Sequence, residues 1–194
     1  MKRYLALSAL VVLSAAGTYF TANRIVQPAG FVVYQVQRLR GLEERRIVRS
    51  YKSNGEWREI STDSKTGSQK IMFGSPQFGV VQVNDQKREN EFIGGWGAPL
   101  TAEQIRKDHQ YTDESQILGY RVLRVHLETP ADGSQTDLYR APELHGMILK
   151  AVSKNSDGSV LSIEPEKIEV TEPEFTVPSY PVTRDVFNLH HPTR

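Results

Sequence analysis

The segment from Ile117 to Ser153 constrains the fold more than any other part of the chain. It divides into three runs, Gly119–Glu128, Thr136–Arg140 and Met147–Ser153, rich in aliphatic and aromatic residues and short enough to be strands. Pro130-Ala131-Asp132-Gly133 separates the first two as a turn. The kinked stretch Ala141-Pro142-Glu143-Leu144-His145-Gly146 separates the second from the third. Strands joined by connections this short pair antiparallel, because a parallel pair needs a long crossover. Along the first run Tyr120 and Val122 share one face, while Leu123, Val125 and Leu127 share the other. That strand is expected to be covered at least partly on both sides.

Similar patterns recur on either side. Phe31–Leu39 sets Val32, Tyr34 and Val36 on one face and Gln35 and Gln37 on the other, the alternation of a half-buried strand. Glu44–Lys52 follows, then Ser53-Asn54-Gly55-Glu56, where Asn-Gly suits the positive φ angles of a tight primed turn. Further strands are expected at Trp57–Thr62, Gln69–Phe73 and Phe78–Val83, with a short one at Glu91–Ile93. A helix signal begins at Thr101, where Thr101 and Gln104 fit a capping box and Leu100 and Ile105 a hydrophobic staple; the helix is expected to end by Gln110. Val160–Glu164 and Lys167–Glu172 read as a last strand interrupted or bulged at Pro165, and Phe175-Thr176-Val177-Pro178 closes the domain. The expected fold class is mainly β with one or two short helices, built as a strongly curved, meander-like antiparallel sheet or half-barrel.

The first residues read as an address. Lys2-Arg3 precede the apolar run Leu5–Ala16, and Ala15-Ala16-Gly17 offers the small residues a signal peptidase tolerates. Tyr4–Phe20 is alternatively an uncleaved anchor, near the lower limit of about 17 residues for a spanning helix. The expected organisation is a signal peptide or anchor plus linker over residues 1–28, one β domain over 29–182, and a tail over 183–194. Export across the inner membrane follows from either reading, to the periplasm or beyond.

Charge and cysteine content narrow the chemistry. There are 24 Lys and Arg against 23 Asp and Glu, and loss of Lys2 and Arg3 with residues 1–22 reverses the small surplus. Nucleic acid, whose affinity rests on phosphate neutralisation, is therefore not an expected partner. The absence of cysteine removes disulfides, thiol catalysis and a lipidated cysteine. None of the five histidines, His109, His126, His145, His190 and His191, has metal-ligand spacing with another. No nucleophile elbow or phosphate loop is present, so no catalytic residue, metal or cofactor is expected. A cluster around His126, Glu143 and His145 is the one place where an enzyme site would be sought. The better binding candidates are apolar: Tyr34, Trp57, Phe73 and Phe78 in the first half, and Trp96, Tyr120, Tyr139 and Met147 in the second. On a curved sheet one face of these would line a cavity.

Leu118-Gly119-Tyr120, Leu138-Tyr139-Arg140-Ala141-Pro142-Glu143-Leu144 and Phe175-Thr176-Val177-Pro178 also resemble exported bacterial proteins of the lipoprotein-localisation (LolA/LolB-like) superfamily, closest to its uncharacterised relatives. The resemblance implies an antiparallel half-barrel with helical segments over its concave face. In the best-understood members that cavity holds the acyl chains of a lipoprotein in transit. The shared motifs are structural, so no site residue is carried over. The expected role is thus a non-enzymatic cell-envelope protein that binds a lipid, an acyl chain or a protein partner. A membrane-tethered assembly factor acting through protein contacts is the alternative.

Overall fold

The computed structural model describes residues 30–95, 97, 100–108, 111–129 and 133–183. The address segment, Trp96, His109, most of the expected Pro130–Gly133 turn and the His190-His191 pair lie outside the described residues. Six strands follow one another across the sheet: β1 (Phe31–Leu39), β2 (Leu42–Tyr51), β3 (Trp57–Asp63), β4 (Gln69–Ser75), β5 (Gly79–Asn84) and β6 (Glu89–Gly94). After helix α1 (Ala102–Asp108), a second meander is made by β7 (Tyr111–Ile117), β8 (Tyr120–Thr129), β9 (Ser134–Ala141), β10 (Met147–Lys154) and β11 (Val160–Glu169). β11 returns to pair with β1, which stitches the two meanders together. A short β12 (Val182–Thr183) adds to β6 in parallel, giving one 12-stranded sheet in the order β12-β6-β5-β4-β3-β2-β1-β11-β10-β9-β8-β7.

The connection between the meanders shows how strongly this sheet must bend. The Leu100 amide donates to the carbonyl of His145 (3.0 Å), at the corner between β9 and β10. In sheet order β10 stands seven places from β6. At about 4.8 Å per strand a flat sheet would separate them by about 34 Å. The chain from Gly94 to Leu100 reaches about 20 Å at full stretch. Only a sheet curved enough to bring the β6 side back toward β9 and β10 satisfies both lengths.

α1 forms where its caps dictate. The Thr101 amide donates to Gln104 Oε1 (2.8 Å) and the Gln104 amide to Thr101 Oγ1 (3.2 Å), the reciprocal pair of a capping box. Ile105 is fully buried against Leu123 and Val125 of β8, with Leu100 packed beside them. On the other side of β8, Val122 joins Phe31, Val33, Leu144 and Leu149 in the larger core cluster. Both faces of β8 are therefore covered, as the alternation of Gly119–Glu128 implies.

β1 differs from its reading as a half-buried strand. Phe31 and Val33 lie on the same side as Gln35 by alternation and are fully buried, and Gln35 itself is 1% exposed. Its amide Nε2 donates to the carbonyls of Ile148 (3.0 Å) and Leu149 (2.7 Å), and its Oε1 accepts from Arg49 Nη1 (3.1 Å). Polarity is a poor guide here because this glutamine is satisfied by backbone rather than by water.

The turns also refine the sequence reading. At Ser53-Asn54-Gly55 only Gly55 has positive φ (86°), and the Gly55 amide donates to the Lys52 carbonyl, so the loop is a turn closed by a glycine bulge rather than a primed turn. Two-residue turns with both φ values positive occur instead at Arg40-Gly41 and Leu118-Gly119. The second joins β7 to β8. β7, reading Tyr-Thr-Asp-Glu-Ser-Gln-Ile, was hidden because it lacks apolar alternation. The bulge expected at Pro165 is present: Tyr34 pairs with Lys167 and Gln35 with Pro165, leaving one residue unpaired.

After β11 the chain straps across the first meander. Ser53 donates to Glu172 Oε1 (3.1 Å), the Phe175 ring packs on Phe73 (5.9 Å between centroids), and Asn90 Nδ2 donates to the carbonyls of Pro178 and Tyr180.

Replacing Gln35 by Met should lower unfolding stability by about 2–3 kcal/mol in urea titrations, because Arg49 and two carbonyls lose a buried partner. Gln37→Met on the same strand should change it by less than about 0.5 kcal/mol. Leu118→Asn should raise stability by about 0.5–1 kcal/mol, since asparagine tolerates φ +49° and the leucine is exposed.

Candidate functional site

The bend leaves a cleft of about 550 Å³ between β2–β3 and β9–β10. Its first wall comes from register. Tyr51 stands directly opposite Trp57, and Arg49 opposite Glu59, so alternation sends all four side chains to one face. Tyr51 stacks on Phe31 at 4.8 Å with an interplanar angle of 12°, and lies 6.4 Å from the Trp57 ring. Trp57 in turn is opposite Gly74 on β4. A Cβ at Gly74 would fall 2.1–2.6 Å from the indole, so the glycine allows the ring to lie over β4.

The opposite wall is Arg140 of β9 with Met147 and Ile148 of β10. The end is closed by Leu100 and the His145-Gly146 corner. Both corner residues have positive φ, 57° and 74°. A Cβ at Gly146 would lie 2.6 Å from the Leu100 Cβ, so glycine here lets the connection sit down on the corner.

The charges in this cleft are unevenly matched. Glu59 Oε2 is held by Arg49 Nε at 2.6 Å. Arg140 Nη1 donates to the Gly146 carbonyl (3.1 Å), but its Nε is buried without a partner, and among the described residues no carboxylate pairs with it. Burial pushes the Arg140 guanidinium below its ordinary range and the Tyr51 phenol above its own. His145 stacks on Phe31 at 5.7 Å, and neither ring nitrogen has a partner. Burial lowers the pKa of this imidazole, favouring its neutral form.

Of the residues proposed from sequence, Trp57 and Met147 face the cleft. Tyr120 and Tyr139 pack against the larger core cluster, and Tyr139 also borders a separate hollow beside Leu118 and Lys150. Phe73, 4% exposed, fills space beneath the Phe175 strap. Tyr34 donates to Glu169 (2.9 Å), and half-buried Phe78 sits in the β4–β5 turn. Tyr51 and Arg140 join the cleft through curvature that strand alternation alone does not encode.

The acid–base cluster imagined from sequence is spread out. His126 Nδ1 lies 2.8 Å from Asp137 Oδ1 and its Nε2 3.3 Å from Glu128, while Arg124 pairs with the same Asp137 (2.9 Å). Asp137 precedes Ala141 by about 13 Å along β9, and His145 lies beyond that end. Among the described residues no group of three His, Asp or Glu side chains is arranged to hold a metal, and no helix is long and apolar enough to cross a membrane.

Neither a protein-family model nor a curated protein matches the chain. Among solved structures, PNGF-II in its C2 crystal form aligns over 80% of this chain at 10% identity and a TM-score of 0.41; the chain spans 30% of that protein's length. A LolA superfamily protein from Nitrosomonas europaea aligns over 77% of this chain and 89% of its own, at 10% identity and a TM-score of 0.40. The lipoprotein LppX from Mycobacterium tuberculosis aligns over 72% and 89%, at 8% identity and a TM-score of 0.32. These are likenesses in the general course of the fold.

The two described histidines of interest should pull stability in opposite directions. Hydrogen bonds to Asp137 and then Glu128 raise the His126 pKa above 6.5, so its contribution is present below that value and is lost as pH rises through the folded-state pKa. His145 is lowered, so its unfolded form takes up a proton first and stability falls as pH drops below about 6.5. Denaturant titrations at pH about 5 and about 7.5 should show His145→Asn losing less stability on acidification than wild type, and His126→Asn losing more.

Proposed function

We propose that the protein is an exported, non-enzymatic component of the cell envelope whose curved sheet binds an apolar ligand in the cleft between β2–β3 and β9–β10. The observation that carries this reading is the lining. Tyr51, Trp57, Leu100, Met147 and Ile148 border a space of about 550 Å³, within the range of about 300–1,000 Å³ that suits small-molecule sites. The side chains do not fill the bend they surround. A lipid or acyl chain is the ligand class that such walls favour, because burial of its methylenes supplies affinity without demanding many polar contacts. The His126, Asp137 and Glu128 group supports no catalytic role in this reading, since those side chains satisfy one another on β8 and β9.

The N-terminal residues supply the address in this proposal: residues 1–28 direct export and either leave or remain as an anchor, and residues 29–182 act as one binding domain. N-terminal sequencing of the protein recovered from the cell envelope separates the two outcomes.

Trp57 makes binding directly observable, because Trp96 is the only other tryptophan. In a Trp96→Phe background, a dodecyl-chain probe should change the fluorescence of Trp57. Gly74→Ala, which forces the indole off β4, should weaken binding by about tenfold or more. Absence of any saturable response, together with no lipid co-purifying from the envelope, would overturn the reading.

A further inference from the structure

We infer that the cleft selects an amphiphile carrying an anionic headgroup, a carboxylate or a phosphate, and that Arg140 receives that headgroup while the apolar body runs toward Tyr51 and Trp57. This rests on the reading of the cleft as a ligand site and specifies the ligand's chemical class.

The cleft is bordered by two guanidinium groups and one carboxylate. The carboxylate, Glu59, is committed to Arg49 at 2.6 Å, and Arg49 is further held by Gln35 at 3.1 Å. That triad is internally satisfied and anchors the wall. Arg140 is different. Among the described residues its one hydrogen bond is to a neutral acceptor, the Gly146 carbonyl, and its buried Nε donates to nothing. A guanidinium that is half-buried and lacks a counter-charge is partly stripped of water, and an incoming anion is the group that compensates for it.

A second polar side chain borders the same end. Gly146, whose carbonyl orients Arg140, follows His145, and both His145 ring nitrogens are buried without partners. A neutral imidazole carries one N–H whichever tautomer it adopts. The planar guanidinium fork matches the paired acceptor oxygens of a carboxylate or phosphate, and the imidazole, with its nitrogens buried, borders the same end of the cleft. A cationic headgroup is repelled by Arg140 and a neutral one accepts a hydrogen bond without balancing its charge, while the body of the ligand meets the same apolar walls in every case. The headgroup thus sets selectivity and the chain supplies affinity.

The full-length Trp96→Phe protein should be titrated with dodecanoate, dodecyl phosphate and dodecanol below their aggregation limits, following Trp57 fluorescence. At least one of the two anions should bind about tenfold or more tightly than the alcohol. Arg140→Met should remove that preference, and Arg140→Lys should keep part of it. Circular dichroism should show both variants folded, and the lysine variant keeps the test open if the methionine variant is not. The relative strength of the two anions assigns the headgroup to carboxylate or phosphate.

Equal binding of all three ligands, or a preference that survives Arg140→Met, would overturn the role of Arg140 while leaving an apolar cleft intact. Saturation by inorganic phosphate or acetate alone, with no gain from the alkyl chain, would overturn the amphiphile and leave a small-anion site. Failure of all three alkyl ligands would remove the underlying reading of the cleft as well.

Discussion

The structure depends on one buried amide. Gln35 lies on β1, the strand at which the two meanders meet, beside a place where regular pairing fails. The β9–β10 register slips between Ile148 and Lys150, and the β10–β11 ladder begins only at Ala151. Ile148 and Leu149 therefore sit where neither ladder is regular, and their carbonyls take the Gln35 amide instead. Through Arg49 and Glu59 the same chain of hydrogen bonds reaches β3. A single side chain thus ties β1, β2 and β3 to β10 across the bend. An apolar residue there would fill the space and leave the bend without its polar partners.

The tie and the cleft share their parts. Arg49, Glu59 and Ile148 belong to the hydrogen-bonded chain and also border the cleft. Gly74 and Gly146 add the two close approaches the cleft needs, one beneath Trp57 and one beneath Leu100. The first meander has its other face covered by the strap through Phe175, since alternation puts Phe73 opposite to Gly74. Strap and bend therefore divide the labour: one face is sealed by the chain's own aromatic ring and the other keeps open space.

Much of this architecture was legible in the sequence. Period-two runs located Phe31–Leu39, Trp57–Thr62, Gln69–Phe73 and the three strands after Ile117, and the capping box at Thr101 located the helix. β7 escaped because a polar edge strand lacks alternation, although Leu118-Gly119 is a two-residue turn and requires a strand before it as well as after. The cleft was only half legible. Trp57 and Met147 advertise themselves as large apolar residues on strands, whereas Tyr51 and Arg140 become neighbours only because the sheet bends between them. Aromatic type likewise did not separate Phe73, which lies beneath the strap, from Trp57, which faces open space.

The proposed occupant of the bend between β2–β3 and β9–β10 is an apolar ligand. Photocrosslinking with a diazirine-bearing dodecanoic acid, followed by peptide mapping, tests it most directly. Label is expected on peptides containing Trp57 and on those containing Met147 to Leu149, diminished by an excess of unlabelled dodecanoate. Label found instead at the Leu118–Lys150 hollow or along the Phe175 strap, with none at Trp57 or Met147, would contradict it.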